Sequence, residues 1–333
     1  MEDRIKVVQY GLGPIGIAAA KLVLQKKSLK LVGGIDIDPS KVGVDLGEVL
    51  NLNGKLGTQV SNDPEKLFEQ TKPDIVLHST GSFLNKVENQ LQLCIQSKAS
   101  IVSSCEELFY PFRRDSDFSQ RINELAKKYD VTVMGTGVNP GFSMDVLVLA
   151  MTSVCTEVKK VAATRIVDAS KRRLPLQKKI GAGLNPVEFK KLVNDGKLGH
   201  IGLVESLIAV AEKLQFELDD IKESINPKIT PKTVETPYMK VLPDEVAGIL
   251  HLARGLKNGE ELIKLELQMF VGAEKQVDII NIDGKPDINL SVEGGIFGDS
   301  ATIARMINAI PIVFKAAPGL TTAIDLPMPF CIT

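Results

Sequence analysis

The sequence contains few cysteines and no long apolar run, and each of these absences excludes a class of protein. Its four cysteines are scattered through 333 residues without C-x-x-C spacing. We therefore expect reduced thiols in a cytoplasmic protein, with neither a disulfide framework nor a metal site. No stretch reaches the roughly 18 consecutive apolar residues that a membrane-spanning helix needs. An apolar strand pattern begins at residue 5, which leaves no room for a signal peptide.

A strong charge of either sign is also absent. Lysine and arginine number 40 and aspartate and glutamate number 41, which gives a formal net charge of −1. Because such a chain creates no long-range field, we do not expect nucleic acids or anionic membranes as partners. The hydrophobic content of 44% and the charged content of 24% are those of an ordinary globular protein. The chain is long enough for two domains with separate cores.

The first 36 residues contain the most informative pattern. An apolar strand runs directly into Gly11-Leu12-Gly13-Pro14-Ile15-Gly16 and then into a helical pattern. The first glycine permits a sharp turn, the second lets the backbone approach a pyrophosphate, and the third lets the helix pack on the sheet. A second apolar run ends in Asp36, where a carboxylate would accept a hydrogen bond from a ribose 2′-hydroxyl. We predict a nicotinamide dinucleotide as cofactor, NAD or NADP, with NAD favoured and Lys41 weakening that preference.

Strand and helix patterns alternate up to about residue 150. Short apolar strands are predicted at 5–10, 30–36, 74–78, 100–104 and 131–134, with amphipathic helices that include 14–26, 84–97 and 116–129. This alternation predicts an α/β fold with a doubly wound parallel Rossmann sheet. A ligand would lie at the carboxyl ends of the strands.

After about residue 155 the pattern becomes that of a sheet with one buried face and one solvent-exposed face. Apolar and polar residues alternate in 263–269 and again in 287–292. Period-two alternation predicts a second α+β domain on an open, largely antiparallel sheet. Helical patterns are predicted at 185–215 and 299–310. Either helices or a partner subunit must cover the apolar face of this sheet, so a homodimer is a hypothesis.

These patterns divide the chain into three segments. Residues 1–150 form the predicted dinucleotide-binding domain, and residues 151–298 the predicted substrate and oligomerisation domain. Residues 299–333 are predicted to form a C-terminal helix and tail that return to the first domain.

Polar residues follow three of the predicted strands. The first loop is His78-Ser79-Thr80-Gly81-Ser82, and we predict that Thr80 and Gly81 contact the cofactor. The alternative is a plain helix N-cap, which serine or threonine supplies well. His78 ends a buried strand and is equally well explained as a core histidine.

The second loop places Cys105-Glu106-Glu107 at the carboxyl end of the next strand. A carboxyl group there is a candidate general acid/base, because partial burial would raise its pKa toward neutrality. Adjacent side chains point in different directions, so one of Glu106 and Glu107 is expected to face the substrate. The alternative is that both begin a helix, whose dipole favours carboxylates. Cys105 raises a rival hypothesis, a thiolate nucleophile, although a lone cysteine is more often a small buried hydrophobe.

The third loop, 135–145, is rich in glycine and turns into a helix. Asn139 is predicted to hydrogen-bond the cofactor carboxamide or the substrate, and Phe142 to contact the substrate. In the second domain, Arg165 could bind a substrate carboxylate in bidentate fashion and Asp168 a substrate ammonium. His200 could line the cleft. A solvated turn explains the charged pair equally well, and His200 could simply join two helices.

The chain resembles the 2,4-diaminopentanoate dehydrogenase and NAD(P)-dependent amine dehydrogenase family, within the wider group that includes dihydrodipicolinate reductase. The resemblance covers nearly the whole chain. It rests on the glycine motif together with Ser104-Cys105-Glu106-Glu107-Leu108-Phe109-Tyr110-Pro111, Val138-Asn139-Pro140-Gly141-Phe142-Ser143-Met144-Asp145, Gly199-His200-Ile201-Gly202-Leu203 and the segment 301–311.

The resemblance implies reversible oxidative deamination of a small amine, most specifically 2,4-diaminopentanoate to 2-amino-4-oxopentanoate and ammonia. It also implies a catalytic glutamate in the segment that matches Cys105-Glu106-Glu107. We prefer Glu106 and keep Glu107 as the alternative. The activity of dihydrodipicolinate reductase is excluded, because its histidine-pair motif is absent where this chain has Asp168-Ala169-Ser170-Lys171-Arg172-Arg173. Two rival functions stay open, a semialdehyde dehydrogenase that uses Cys105 and a protein that binds NAD without turnover.

Overall fold

The computed structural model describes residues 4–333, which divide into two compact units. The first unit comprises residues 4–142 and 298–333, and the second comprises residues 143–297. The sequence pattern placed the corresponding domain boundaries at 150 and 298. Within the described residues, no helix is both long enough and apolar enough to cross a membrane.

In the first unit, short apolar segments form parallel strands that alternate with helices. The strands are β1 (Ile5–Tyr10), β2 (Leu29–Ile35), β3 (Ile75–His78), β4 (Ser100–Ser103) and β5 (Thr132–Gly135). The helices are α1 (Pro14–Gln25), α2 (Leu46–Val49), α3 (Pro64–Thr71), α4 (Leu84–Gln96), the 3₁₀ helix Glu106–Phe109 and α5 (Ser116–Lys128). Each predicted strand lies within two residues of an observed one. The register aligns the last residues of all five strands at one edge of the sheet.

One apolar core anchors this edge. Helices α4 and α5 bury Leu91 and Phe118 against the strand residues Val8, Val76 and Ile101. Apolar residues face both sides of these strands, which explains why the strands read as continuous apolar runs in the sequence. The loops after the strands therefore stand on a rigid base.

The second unit is a mixed sheet with helices on one face. Its strands are β6 (Glu157–Asp168), β7 (Asp220–Ile229), β8 (Val234–Glu235), β9 (Lys240–Val241), β10 (Val246–Lys257), β11 (Glu260–Phe270), β12 (Val277–Lys285) and β13 (Ile288–Glu293). Its helices are α6 (Val146–Thr152), α7 (Leu174–Lys179), α8 (Pro186–Asn194) and α9 (Leu203–Lys213). The strand order is β13-β12-β6-β11-β10-β7, and β6 with β11 is its parallel pair. Strands β8 and β9 form a separate hairpin.

The alternation predicted for this sheet is present along β11 and β13. In β11, Ile263, Leu265 and Leu267 are buried while the intervening residues are half-buried. The single helical segment predicted at 185–215 is instead two helices, α8 and α9. Residues 195–202 separate them, because three glycines in that segment adopt positive φ angles.

The chain then returns to the first unit as helix α10 (Gly298–Val313) and strand β14 (Gly319–Thr322). Strand β14 pairs in parallel with β5 and completes a six-stranded sheet in the order β14-β5-β4-β3-β1-β2. The predicted fold class, a doubly wound parallel sheet with a second domain on a largely antiparallel sheet, is confirmed. The sixth strand was not predicted.

Candidate active site

Strand β1 leads into a turn in which two glycines are sterically required. Gly11 has a φ of +90°, and a Cβ at this position would lie 2.6 Å from the carbonyl oxygen of Ser79. A Cβ at Gly16 would lie 1.8 Å from the carbonyl oxygen of Gly11. Neither position can accept a side chain unless the backbone moves. The Oγ of Ser79 also donates a 3.1 Å hydrogen bond to the Gly11 carbonyl, which ties the turn to the loop after β3.

Gly13 and the start of α1 leave room for a ligand. A Cβ at Gly13 would meet no heavy atom within 4 Å, so contacts within the chain do not explain this glycine. Gly13 is the N-cap of the 12-residue α1, Pro14 and Ile15 begin the helix, and no described side chain caps this end. Amide groups and the dipole at such a terminus favour an anion. The turn therefore fits a dinucleotide pyrophosphate.

Asp36 follows β2 directly and its carboxylate is held in place. Its Oδ2 accepts a 2.7 Å hydrogen bond from the Leu12 amide and its Oδ1 accepts one of 2.9 Å from the Asp38 amide. Lys41 Nζ lies 3.3 Å from Oδ2. Burial alone would raise the pKa of Asp36, but the two amides and Lys41 lower it below its ordinary value. An ionised carboxylate thus stands beside the glycine turn.

The first polar loop does not cap the next helix. The N-cap of α4 is Phe83, and the amide of Leu84 donates to Glu107 Oε2 at 2.8 Å. This removes the alternative in which serine or threonine at 79–82 is a plain N-cap. Thr80 is exposed and Gly81 half-buried. They stand at the edge where the cofactor is expected.

The two glutamates of the second loop have different surroundings. Glu107 is 7% exposed, and besides capping α4 it forms an ion pair of 3.1 Å with Arg114. The Glu107 amide also donates to the Ser82 carbonyl at 3.3 Å. Glu107 therefore joins two loops. Glu106 is half-buried at the first position of the 3₁₀ helix, directly after the end of β4.

Cys105 is unsuited to nucleophilic catalysis. Its side chain is fully buried, and burial raises the pKa of its thiol to about 12. Reactive cysteines need a thiolate and access to solvent. We therefore drop the thiolate alternative and, with it, the semialdehyde dehydrogenase hypothesis.

The third loop contains a buried polar atom without a partner among the described residues. The Oδ1 of Asn139 accepts no hydrogen bond in the protein, although it is inaccessible to solvent. Such atoms are rare in native proteins and cost free energy unless a ligand or water pairs with them. A nicotinamide carboxamide could supply a donor. Phe142 is half-buried at the end of this loop, with the Arg305 guanidinium 5.1 Å from its ring centre.

One series of hydrogen bonds joins the glycine turn and the three loops. Ser79 bonds Gly11, and the Ser104 amide donates to the His78 carbonyl at 2.9 Å. The Thr136 amide donates to the Ser103 carbonyl at 2.8 Å. The predicted cofactor residues and Glu106 thus share one edge of the first unit.

One residue that supports this edge was not predicted from the sequence. Thr302 of α10 accepts a 3.2 Å hydrogen bond from the Val138 amide, which fixes the third loop. Thr302 lies 164 positions from Val138, and no local pattern could have indicated the contact.

The charged residues predicted for the second unit have structural partners. Arg165 is 3% exposed, its Nη1 lies 2.7 Å from Asp278 Oδ1, and its Nη2 donates to the Ile296 carbonyl. Asp168 Oδ1 accepts hydrogen bonds from the amide and hydroxyl of Ser170, at 2.9 and 2.6 Å. This bonding explains Arg165 as a buried ion pair and Asp168 as the support of a turn. A contact of either residue with the substrate stays a prediction.

His200 lies between α8 and α9, within the second unit. Its ring is half-buried and meets the ring of His251 edge-on, with 6.4 Å between the ring centres. His251 is fully buried and its Nε2 lies 2.8 Å from Glu223 Oε1. His200 stays a predicted substrate contact.

Comparison with known proteins assigns both parts of the chain. The model of the 2,4-diaminopentanoate dehydrogenase C-terminal domain matches residues 142–333, and that of the dihydrodipicolinate reductase N-terminus matches residues 5–134. The 2,4-diaminopentanoate dehydrogenase of Acetoanaerobium sticklandii is 31% identical over 98% of this chain and 94% of its own length. The chain belongs to the 2,4-diaminopentanoate dehydrogenase family. The predicted family is therefore confirmed.

Solved structures agree with this assignment. An amine dehydrogenase from Mycobacterium smegmatis is 26% identical, with a TM-score of 0.87 over 99% of this chain and 98% of that one. A dihydrodipicolinate reductase from Paenisporosarcina sp. TG-14 is 15% identical, with a TM-score of 0.55 over 95% and 96% of the two chains. At that identity the likeness concerns the fold alone. The predicted enzyme class, an oxidoreductase of the amine dehydrogenase type, is confirmed.

Proposed function

We propose that this protein oxidises a small amine with NAD(P), and that 2,4-diaminopentanoate is the substrate. One observation supports this proposal most directly. The glycine turn and Glu106 lie at the same edge of the first unit's sheet, where its parallel strands end. The products would be 2-amino-4-oxopentanoate, ammonia and the reduced cofactor, and the reverse reaction would be a reductive amination. Similarity to the Acetoanaerobium sticklandii enzyme supports the choice of substrate.

The residues that would hold the cofactor surround this edge. They are Gly11, Gly13, Pro14, Ile15 and Gly16 for the pyrophosphate, Asp36 for the adenosine ribose, and Thr80, Gly81 and Asn139 toward the nicotinamide. The nicotinamide, when bound, supplies the acceptor for the hydride that leaves the amine carbon. Because Asp36 is an ionised carboxylate, we expect it to favour the 2′-hydroxyl of NAD over the 2′-phosphate of NADP.

We assign the acid/base role to Glu106. As a carboxylate it takes a proton from the substrate ammonium, which frees the lone pair that assists departure of the hydride. Glu106 then releases this proton to solvent, and the iminium adds water. Glu106 takes one proton from the added water and passes it to the nitrogen, and it accepts the remaining hydroxyl proton as ammonia leaves and the carbonyl forms. Glu107 holds the loop, because its oxygens already bond Leu84 and Arg114. Phe142 and His200 are the proposed substrate contacts.

The matched pair Glu106→Gln and Glu107→Gln tests this assignment. We expect Glu106→Gln to lower kcat by roughly 100-fold or more, because a correctly placed general base contributes 10²–10⁴-fold. Glu107→Gln keeps an oxygen that can cap α4 but loses the charge that pairs with Arg114. We expect it to lower stability more than it lowers kcat.

The measurement is the absorbance of reduced cofactor formed from NAD and from NADP. The test substrates are 2,4-diaminopentanoate, simple amines, homoserine and aspartate semialdehyde. Circular dichroism of both variants checks that they fold. If both keep wild-type turnover, the acid/base assignment is wrong. Turnover with homoserine or the semialdehyde alone would contradict amine oxidation itself.

We further propose a cytoplasmic homodimer. All four cysteines are free thiols, as a reducing compartment would maintain them. The helix-free face of the second unit's sheet carries half-buried apolar side chains that a second copy could cover. Ile166 and Leu250 belong to this face.

A further inference from the structure

We propose that Lys41 admits the 2′-phosphate of NADP, so that the site accepts both dinucleotides through one lysine shared between Asp36 and Asp38. The proposal rests on the proposed binding of the adenosine ribose at Asp36. It names Lys41 as the residue that determines cofactor specificity.

The geometry gives Lys41 two carboxylate partners. Its Nζ lies 3.3 Å from Asp36 Oδ2 and 3.2 Å from Asp38 Oδ2. The Lys41 amide donates to the Asp38 carbonyl at 2.9 Å, so a tight turn fixes its backbone next to both acids. Its side chain is 24% exposed, against 11% for Asp36 and 42% for Asp38. The Lys41 side chain is therefore partly accessible to solvent and directly beside Asp36, where the ribose of a cofactor is expected.

All three groups are charged at neutral pH. Hydrogen bonds from Ser40, then the contact with Lys41, lower the pKa of Asp38 to about 2. Burial alone would lower the pKa of Lys41, but the two carboxylates raise it above its ordinary value. The cluster thus carries two negative charges and one positive charge. Without Lys41, a 2′-phosphate would meet two bare carboxylates.

Two partners let the ammonium serve either cofactor. With NAD, the lysine can keep both carboxylates while the 2′-hydroxyl donates to Asp36. With NADP, the ammonium can turn from Asp36 to the phosphate and keep its contact with Asp38. The ion pair with Asp36 is then replaced by one with the phosphate. A lysine binds phosphate as a mobile point charge and does not need the fixed geometry of an arginine.

The test compares three variants by isothermal titration with NAD and with NADP, in the absence of amine. Lys41→Met keeps the length of the side chain and removes its charge. Asp38→Asn removes one negative charge and one partner of the lysine. Lys30→Met is the matched control, because Lys30 is an exposed residue near the start of β2, far along the strand from Asp36.

We expect Lys41→Met to lower the ratio of NADP affinity to NAD affinity by about tenfold or more, as loss of one close charge pair in a partly exposed site predicts. Asp38→Asn should raise the same ratio by about threefold or more, because it removes repulsion of the phosphate and releases the lysine. Lys30→Met should leave the ratio at its wild-type value.

Two results would overturn the proposal. One is an equal change in both affinities with Lys41→Met, and the other is wild-type protein that binds NAD but not NADP. Since the titrations contain no amine, a wrong substrate assignment leaves their outcome unchanged. Failure of the wild type to bind either dinucleotide would instead show that the proposed cofactor site is wrong.

Discussion

His78 shows what a polar residue does at the end of a buried strand. Its Nδ1 lies 2.9 Å from Ser103 Oγ, and its Nε2 lies 2.8 Å from Gln90 Oε1 and 2.9 Å from Thr80 Oγ1. Burial lowers the pKa of His78 to about 4, although the hydrogen bond with Gln90 acts in the opposite direction. The ring is therefore neutral at physiological pH. It supports the loop that carries Thr80.

This buried histidine predicts a pH dependence of stability. Between pH 6.5, the ordinary pKa of histidine, and about 4, the unfolded chain takes up a proton that folded His78 does not. The free energy of unfolding should therefore fall as the pH is lowered through this window, by an amount on the order of 3 kcal/mol at about 1.4 kcal/mol per pH unit. Above pH 6.5 the residue is neutral in both states and contributes no slope.

Urea unfolding at several pH values measures this effect in the wild type and in His78→Gln. The glutamine offers hydrogen-bonding groups but does not titrate, so its curve should be flatter between pH 6.5 and 4. Equal slopes for the two proteins would show that His78 is not the responsible group.

The turn between β1 and α1 contains glycines of two kinds. Some are required by the fold, and one is explained only by a ligand. The carbonyl of Gly11 blocks a side chain at Gly16, whereas the space beside Gly13 is open. Gly13 also has a φ of −69°, which any residue can adopt. The chain alone therefore requires glycine at 16 and does not require it at 13.

The paired variants Gly13→Ala and Gly16→Ala test this distinction. Gly16→Ala should lower the free energy of unfolding by about 1–3 kcal/mol or more, because the backbone must move to relieve the overlap. Gly13→Ala should lower it by only about 1 kcal/mol or less, because it makes no new contact and its cost is that of alanine in place of glycine at an N-cap. It should nevertheless weaken dinucleotide binding by about tenfold or more, since its methyl group would occupy the space proposed for the pyrophosphate.

Thermal unfolding and dinucleotide titration distinguish the two variants. If Gly13→Ala binds the dinucleotide as tightly as the wild type, the pyrophosphate does not lie at this turn. A stable Gly16→Ala protein would show that the turn can relax around a methyl group.

Local sequence patterns predict elements of this chain that form on their own, whereas elements that depend on long-range contacts escape prediction. Strands β1 to β5 and helices α1, α4 and α5 were predicted because each carries its own apolar pattern. Strand β14 was missed because Gly319–Thr322 contains a single leucine and acquires its strand form by pairing with β5.

The same limit applies to the candidate site. The glycine motif and Asp36 could be predicted because they lie within one short segment of the sequence at a characteristic spacing. The ion pair of Arg165 was not predicted, because its partner, Asp278, lies 113 positions away and no charge pattern near Arg165 indicates it. The capping of α4 by Glu107 was invisible for a similar reason, although the two segments are only 23 positions apart.

We predict that the helix-free face of the second unit's sheet forms the homodimer interface. Register places Leu250 beside Gln268 and Ile166, and Leu252 in line with Glu266, Thr164 and Ile279. These four apolar side chains, at 166, 250, 252 and 279, are half-buried on the face opposite the helices. A second copy of the chain could cover these partly exposed apolar side chains, and a self-complementary face gives a twofold dimer.

Sedimentation equilibrium should therefore give the mass of two chains for the wild type. Leu252→Glu should shift the mass to one chain, because it buries a carboxylate beside Glu266 in the dimer. Val187→Glu is the matched control, since Val187 is 79% exposed on α8 of the same unit and should leave the dimer intact. A wild-type mass of one chain would contradict the homodimer, and dissociation by both variants alike would place the interface elsewhere than on this face.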